Sequence, residues 1–162
     1  MKKIFALICI ALVAIDQVIK IWVLQSLKPI GSFSLIPNLL ELSYVENRGA
    51  SFGMFQNMSH IFAILTTIMM IIILVLYIKF KEHNFFSHYA AICIISGGIG
   101  NLIDRLMLEF VVDYIHVMFF PYIFNFADCL VVTGAISFFV FYIFYYGKKD
   151  NKLGESDLSG KD

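Results

Sequence analysis

The chain has 162 residues, 60% of them hydrophobic and only 15% charged, and 12 basic side chains balance 12 acidic ones. Soluble domains are about 45–50% apolar and about 25% charged, so this composition predicts an integral membrane protein. A net charge of zero argues against nucleic acid as a partner, because phosphate binding needs a basic surface. The three cysteines lie in apolar runs without metal-ligand or disulfide spacing.

Four apolar stretches are long enough to cross a bilayer, which takes about 20 helical residues. They cover approximately residues 4–24, 60–78, 89–106 and 124–146. The first begins like a signal peptide, but it continues past Asp16 and Lys20 without a small-residue cleavage site, which favours a retained membrane helix. We therefore predict one membrane-embedded domain over residues 1–147, followed by a polar, disordered, cytoplasmic tail over residues 148–162.

The distribution of lysines predicts the orientation, because cytoplasmic segments of membrane proteins carry an excess of basic residues. Lysines precede the first span, separate the second from the third and follow the fourth. Both termini are therefore predicted to be cytoplasmic. The outer loop, residues 25–58, contains helix-breaking Pro29, Gly31 and Pro37 and a loosely alternating stretch at residues 40–45. This loop predicts a small sheet on the outer face.

The predicted fold class is thus an all-α polytopic membrane protein with four transmembrane helices and a small extracytoplasmic β-sheet. An extended piece at residues 110–112 of the second outer loop can add to the sheet. This topology places nearly all the unusual polar residues at one membrane surface. They are Asp16, Lys20, Asn47, Arg48, Asn101, Asp104, Arg105, Asp113, Asn125 and Asp128.

Several of these residues have a structural explanation as well as a functional one. Asp16 and Lys20 are one helical turn apart and can neutralise each other. Asn125 and Asp128 can cap the fourth span. Five residues share one stripe of the third span, where they can pack helices together or position a substrate. These five are Gly97, Gly100, Asn101, Asp104 and Arg105.

Capping leaves Asp113 unexplained, because it lies in apolar sequence with no cation beside it. Ionisable groups in such surroundings are functional candidates. Asp113 and Asp128 both lack a local cation, whereas Asp104 has Arg105 adjacent to it. Two neighbouring carboxyls that share one proton can supply a general base and a general acid for peptide hydrolysis. The alternatives are a small proton-coupled transporter, which needs acids at several depths, and a non-enzymatic assembly helper.

Five motifs resemble those of the type II, or lipoprotein, signal peptidases. They are D-Q-V-I-K at Asp16–Lys20, N-R-G-A-S-F-G at Asn47–Gly53, G-G-I-G-N-L-I-D-R at Gly97–Arg105, V-V-D-Y at Val111–Tyr114 and F-N-F-A-D at Phe124–Asp128. The sequence departs from the common pattern at Ser51, where alanine is common, and at Tyr114, where phenylalanine is common. Neither position carries a catalytic carboxylate.

The resemblance implies a metal-free and cofactor-free aspartic endopeptidase of the bacterial cytoplasmic membrane, with Asp113 and Asp128 as the catalytic pair at the outer face. Residues expected to support the site or bind substrate are Asp16, Lys20, Asn47, Gly49, Asn101, Asp104, Arg105, Asn125 and Ala127.

The resemblance also implies the substrate, a prolipoprotein with a diacylglyceryl-modified cysteine, cut on the N-terminal side of that cysteine. Globomycin-type inhibitors and membrane lipid are the other expected ligands, and the protein is expected to be a monomer. The outer loop is expected to form a sheet-like cradle and a short mobile segment that closes over the substrate.

Overall fold

The structure is a computed structural model that describes residues 2–49, 59–80 and 83–159, with side chains described for residues 3–49, 59–80 and 83–145. Residues 50–58 of the outer loop lie outside the described residues, and the expected mobile segment of that loop stays a prediction. The elements in chain order are α1 (Lys2–Trp22), a π-helical turn (Val23–Leu27), β1 (Ser32–Ile36), β2 (Leu40–Asn47), α2 (Ser59–Lys79), α3 (Phe85–Met107), β3 (Val111–Val117), β4 (Ile123–Phe124) and α4 (Phe126–Ser159).

Four helices in the described part of the chain are long and apolar enough to cross a membrane, which confirms the predicted fold class. The candidate spans are Lys3–Leu27, Ser59–Lys79, Phe85–Met107 and Phe126–Tyr145. The third begins earlier than predicted because Asn84 caps it, accepting a hydrogen bond from the Ser87 N–H at 3.0 Å.

The fourth helix differs from its predicted bounds at both ends. It begins two residues later, at Phe126, because Ile123–Phe124 pairs with β3 as a short strand. Its backbone stays helical to Ser159, where the sequence predicted a disordered tail from residue 148. Extending a formed helix costs far less than nucleating one, which favours continuation of α4 beyond residue 147.

Helix α3 is the central helix and packs against α1, α2 and α4. Its glycines make the close approach possible. A Cβ added at Gly97 would lie 2.3 Å from the backbone oxygen of Ala127, and one at Gly100 would lie 2.5 Å from Oδ2 of Asp16. Small residues at helix contacts let backbones come together in a membrane bundle. The polar stripe of α3 therefore faces α1 and the start of α4.

The four strands form one antiparallel sheet in the order β1-β2-β3-β4. The sequence analysis predicted the first six residues of β2 and the start of β3, but it did not predict β1 or β4. Val112 and Tyr114 of β3 pack with Phe110 and with the π-helical turn, where Val23 and Leu27 are fully buried. Because neighbouring side chains of a strand point to opposite faces, this packing turns Asp113 away from the apolar cluster.

Candidate active site

Asp113 is fixed by two amide side chains from neighbouring elements. Pairing of β2 with β3 brings Asn47 beside Asp113, and Nδ2 of Asn47 donates to Oδ2 of Asp113 at 2.8 Å. Nδ2 of Asn125 donates to Oδ1 at 2.6 Å. Only 2% of Asp113 is exposed. The sheet therefore carries this carboxyl into a buried polar site.

Asp128 lies in the first turn of α4, where the helix dipole favours a negative charge. Its Oδ1 accepts from Nδ2 of Asn101 at 2.7 Å, and its Oδ2 accepts from the backbone N–H of Asn125 at 3.1 Å. Asn125 thus contacts both carboxyls, one through its side chain and one through its backbone. The structure brings the two predicted catalytic residues into one hydrogen-bonded group.

The environment of Asp113 favours its protonated form. Burial, reinforced by the nearby negative charge of Asp128, raises the pKa of Asp113 from its ordinary value of 3.8 to about 7, although hydrogen bonds from Asn47 and Asn125 oppose the shift. A carboxyl with this pKa can hold a proton or release it near neutrality. General acid–base catalysis requires that property.

A buried ionic cluster lies directly behind the two carboxyls. Nζ of Lys20 lies 2.9 Å from Oδ2 of Asp16, 3.1 Å from Oδ2 of Asp104 and 2.9 Å from Oδ1 of Asn101. The sequence reasoning paired Asp104 with Arg105, and this pairing is wrong. Adjacent helical side chains point in different directions, so Asp104 faces Lys20 while Nη1 of Arg105 donates to the carbonyl oxygen of Asn101 at 3.2 Å.

The acids of this cluster also hold neighbouring backbone in place. Oδ1 of Asp16 accepts from the N–H of Ala127 at 3.1 Å, which satisfies a donor of the first turn of α4. Oδ2 of Asp104 accepts from the N–H of Val112 at 3.0 Å, beside Asp113. Asp16 and Asp104 therefore position the two segments that carry the catalytic candidates.

The remaining predicted site residues form fewer hydrogen bonds with the site. The N–H of Gly49 donates to Oδ1 of Asn47 at 3.2 Å, which orients the amide that binds Asp113. Ala127 is fully buried and contributes its backbone N–H. Arg48, also an outer-face candidate, forms an exposed ion pair with Glu46 at 2.7 Å instead.

Sequence reasoning missed two residues of the network. Nε2 of Gln17 lies within 3.2 Å of Oδ2 of Asp16, the carbonyl oxygen of Gly100 and Oδ1 of Asp104. The hydroxyl of Tyr114 accepts from the N–H of Phe126 at 3.2 Å. An amide one residue after an intramembrane acid was the available signal for Gln17. Nothing in the sequence indicated the contact of Tyr114.

The described residues contain no group of three histidine, cysteine, aspartate or glutamate side chains that could hold a metal ion. The site instead combines two carboxyls, three amide side chains and one nearby guanidinium. The amides are those of Asn47, Asn101 and Asn125. Such a set can transfer protons and stabilise a developing negative charge.

Residues 8–144 match the family model described as Signal peptidase (SPase) II. A lipoprotein signal peptidase of Clostridioides difficile is 40% identical over 145 residues, 89% of this chain and 97% of that protein. One of Caldanaerobacter subterraneus is 43% identical over 132 residues, 81% of this chain and 90% of that protein. A solved bacterial membrane enzyme aligns with a TM-score of 0.78 at 32% identity, covering 91% of this chain and 92% of that one.

Proposed function

The chain belongs to the signal peptidase II family, whose members remove signal peptides from lipoprotein precursors, and we propose that it does so as an aspartic peptidase with Asp113 and Asp128 as its catalytic residues. The observation that carries this proposal is the bridge made by Asn125, which hydrogen-bonds to both carboxyls at 2.6 and 3.1 Å. Two carboxyls held this closely to one residue favour sharing a proton.

The proposed reaction is a direct attack of water on the scissile carbonyl. The ionised carboxyl takes a proton from water, and the water oxygen forms a bond to the carbonyl carbon. The protonated carboxyl donates to the carbonyl oxygen. When the tetrahedral intermediate collapses, the carbon–nitrogen bond breaks and the leaving amine takes the proton that the first carboxyl removed from water. The second carboxyl takes a proton back from an oxygen of the intermediate as the carbonyl re-forms, so both carboxyls return to their starting states. Arg105 and Asn47 lie near enough to the pair to stabilise negative charge on the oxygen.

We further propose that the substrate is a prolipoprotein whose cysteine carries a diacylglyceryl group, cut on the N-terminal side of that cysteine. The acyl chains of such a substrate lie in the bilayer, and its scissile bond lies near the membrane surface. Asp128 lies in the first turn of a candidate span, and Asp113 lies on the sheet, hydrogen-bonded to Asn125 at the start of that span. This position at the end of a span supports the proposal that the pair cuts a bond near the membrane surface.

The proposal extends to location and ligands. The site faces outward from a bacterial cytoplasmic membrane and both termini are cytoplasmic, in agreement with the lysine distribution. The protein acts as a monomer, requires no metal or cofactor and is inhibited by globomycin.

The variant Phe119→Cys tests the orientation of the protein in the membrane. Phe119 lies in the turn before β4 and is 78% exposed. An impermeant thiol reagent labels Phe119→Cys in intact cells, but labels Lys79→Cys only after permeabilisation.

A transporter function is not supported by the described spans. Their acids are Asp16, Asp104 and Asp128, and all three belong to the same hydrogen-bonded network instead of lying at several depths. A proton pathway across a bilayer needs polar groups along its length.

Cleavage of defined precursors tests the proposal. Purified protein in detergent, with excess chelator, receives a diacylglyceryl-modified precursor or the same precursor without lipid. The expected result is cleavage of the lipidated form alone, unaffected by chelator and blocked by globomycin. Loss of cleavage on addition of chelator would overturn the proposed metal-free mechanism. Equal cleavage of both forms would overturn the proposed substrate.

A further inference from the structure

The two carboxyls of the proposed catalytic pair accept hydrogen bonds from amides whose oxygens have different partners. Nδ2 of Asn101 donates to Asp128 at 2.7 Å, and Oδ1 of the same amide accepts from the ammonium of Lys20 at 2.9 Å. The oxygens of the two amides that donate to Asp113 accept only backbone N–H groups from described residues, those of Gly49 and Asp128. Among the described residues, a cation therefore contacts the oxygen of the amide that donates to Asp128, but not the oxygen of either amide that donates to Asp113.

A cation at the oxygen of an amide polarises that amide and makes its N–H a stronger donor. A stronger donor favours the ionised form of the carboxyl that accepts from it. Lys20 is only 2% exposed, so water and salt screen this effect weakly. The chain of contacts from Lys20 through Asn101 thus favours negative charge at Asp128.

Two further features also favour negative charge at Asp128 over Asp113. Asp128 lies in the first turn of α4, where the N-terminal end of the helix dipole stabilises an anion. Asp128 is half-buried, whereas Asp113 is 2% exposed, and desolvation penalises charge more at the more buried site.

We propose that Lys20, acting through Asn101, keeps the negative charge of the resting pair on Asp128 and the shared proton on Asp113. Asp128 is then the base that activates water, and Asp113 is the acid that donates to the carbonyl oxygen. Lys20 is a positioning residue, because it acts on Asp128 through the amide of Asn101. The inference rests on the proposed function.

The raised pKa of Asp113, about 7, agrees with this assignment. Burial is the largest cause of that raised pKa, and the charge of Lys20, which by itself lowers the pKa of Asp113, does not offset it. The titratable or charged groups near the pair come from three elements besides β3. They are Asp16, Lys20, Asp104, Arg105, Tyr114 and Cys129. Lys20 has two carboxylates beside it, and its ammonium also donates to the oxygen of Asn101, which accepts a second, longer hydrogen bond from Nδ2 of Asn125 at 3.2 Å.

Infrared difference spectroscopy tests the position of the proton without turnover. Spectra of the full-length protein at about pH 6, between the ordinary pKa of aspartate and that of Asp113, are compared with those of each variant. The wild type minus Asp113→Asn spectrum is expected to contain the C=O band of a protonated carboxylic acid. The wild type minus Asp128→Asn spectrum is expected to contain carboxylate bands. The proposal is overturned if the C=O band of a protonated acid is lost in Asp128→Asn and the carboxylate bands are lost in Asp113→Asn.

A double variant tests the role of Lys20. Lys20→Met alone leaves two buried carboxylates without a cation and can fail to fold, so Asp16→Asn is added to keep the net charge of the cluster unchanged. Base catalysis needs ionised Asp128, so loss of the cation at Asn101 is expected to move the acid limb of the kcat/KM profile to higher pH. Lys28→Met, which removes an exposed lysine from its ion pair with Glu46, is the matched control and leaves the limb in place.

An unchanged acid limb in the folded double variant overturns the role of Lys20. Failure of the proposed function would give a different result. Full cleavage by Asp113→Asn or Asp128→Asn would show that the two aspartates are not the catalytic pair. The infrared result does not depend on cleavage, so the two failures can be told apart.

Discussion

Asn125 and Asp128 cap each other at the start of α4. The N–H of Asn125 donates to Oδ2 of Asp128 at 3.1 Å, and the N–H of Asp128 donates to Oδ1 of Asn125 at 2.9 Å. This reciprocal arrangement satisfies donors that a helix end leaves without partners. Because Asn125 also binds Asp113, one residue couples the geometry of the helix end to that of the proposed catalytic pair.

The first prediction concerns Asn125→Leu. This substitution removes a helix cap and the donor to Asp113, so buried polar groups lose their partners at a cost of about 1–3 kcal/mol. If the loss of these contacts raises the activation free energy of cleavage by a similar amount, the cleavage rate falls by about 10–100-fold. Thermal unfolding in detergent and cleavage of a lipidated precursor measure the two effects.

Asn84→Ala is the matched control for that variant. Asn84 caps α3 through a capping box with Ser87, so its loss costs about 1 kcal/mol of stability. It has no contact with the catalytic pair among the described residues, and cleavage is expected to stay unchanged. Equal activity losses in the two variants would mean that stability alone explains the effect of Asn125.

The second prediction compares two adjacent glycines of α3. A Cβ at Gly97 would lie 2.3 Å from the backbone oxygen of Ala127, whereas one at Gly98 would meet the flexible side chain of Met70 at 2.6 Å. Gly97→Ala must push α4 away and is expected to cost about 1–3 kcal/mol and most of the activity. Gly98→Ala is expected to retain both, since Met70 can change rotamer. Equal melting temperatures and activities for the two variants would contradict the packing described.

The third prediction is a pH dependence of stability. The pKa of Asp113 is about 7 in the folded protein and near its ordinary value in the unfolded chain, so the folded state binds the proton more tightly. The contribution of Asp113 to stability is therefore complete below about pH 4 and is lost as pH rises through about 7. Asp113→Asn is expected to remove this loss, which amounts to at most about 4 kcal/mol.

Unfolding of Asp113→Asn at about pH 5 and at about pH 8 measures that effect against the wild type. Glu46→Gln serves as the control. The guanidinium of Arg48, with Lys28 and Tyr44, lowers the pKa of Glu46 to about 2, so this group does not titrate in the window. A wild-type pH dependence that persists in Asp113→Asn would show that another group causes it.

The fourth prediction concerns Tyr114→Phe. The substitution removes the acceptor for the N–H of Phe126, which costs about 1 kcal/mol of stability. Phenylalanine is common at this position in the family that the sequence resembles, so cleavage is expected to persist. Tyr44→Phe, which removes a partly exposed hydrogen bond to Glu46, is the control and changes stability by less than about 0.5 kcal/mol. A large loss of cleavage in Tyr114→Phe would assign its hydroxyl a role in the reaction.

Much of the architecture could be predicted because membrane spans depend on length and hydrophobicity, which a sequence displays directly. The stripe on α3 could also be predicted, since helical spacing places its members on one face. The strands were harder to predict. Every residue of β1 is exposed, so its apolar and polar residues show no burial pattern, and β4 has two residues.

The partners within the site could not be predicted from local spacing. Asp104 was paired with its neighbour Arg105, but the fold instead brings it to Lys20, more than 80 residues earlier in the chain. The bridging role of Asn125 depends equally on three elements that meet only in the folded bundle. Sequence identifies which polar residues are unusual, and tertiary structure decides which of them touch.

Cleavage by the two aspartate variants tests the central claim most directly. Purified wild type, Asp113→Asn, Asp128→Asn and Glu109→Gln receive the lipidated precursor with excess chelator, and a gel shift reports the released product. Glu109 is an exposed acid of the loop before β3, so its variant is the matched control. The account predicts that both aspartate variants stay folded and lose cleavage, while Glu109→Gln cleaves normally. Full cleavage by either aspartate variant would contradict catalysis by the pair.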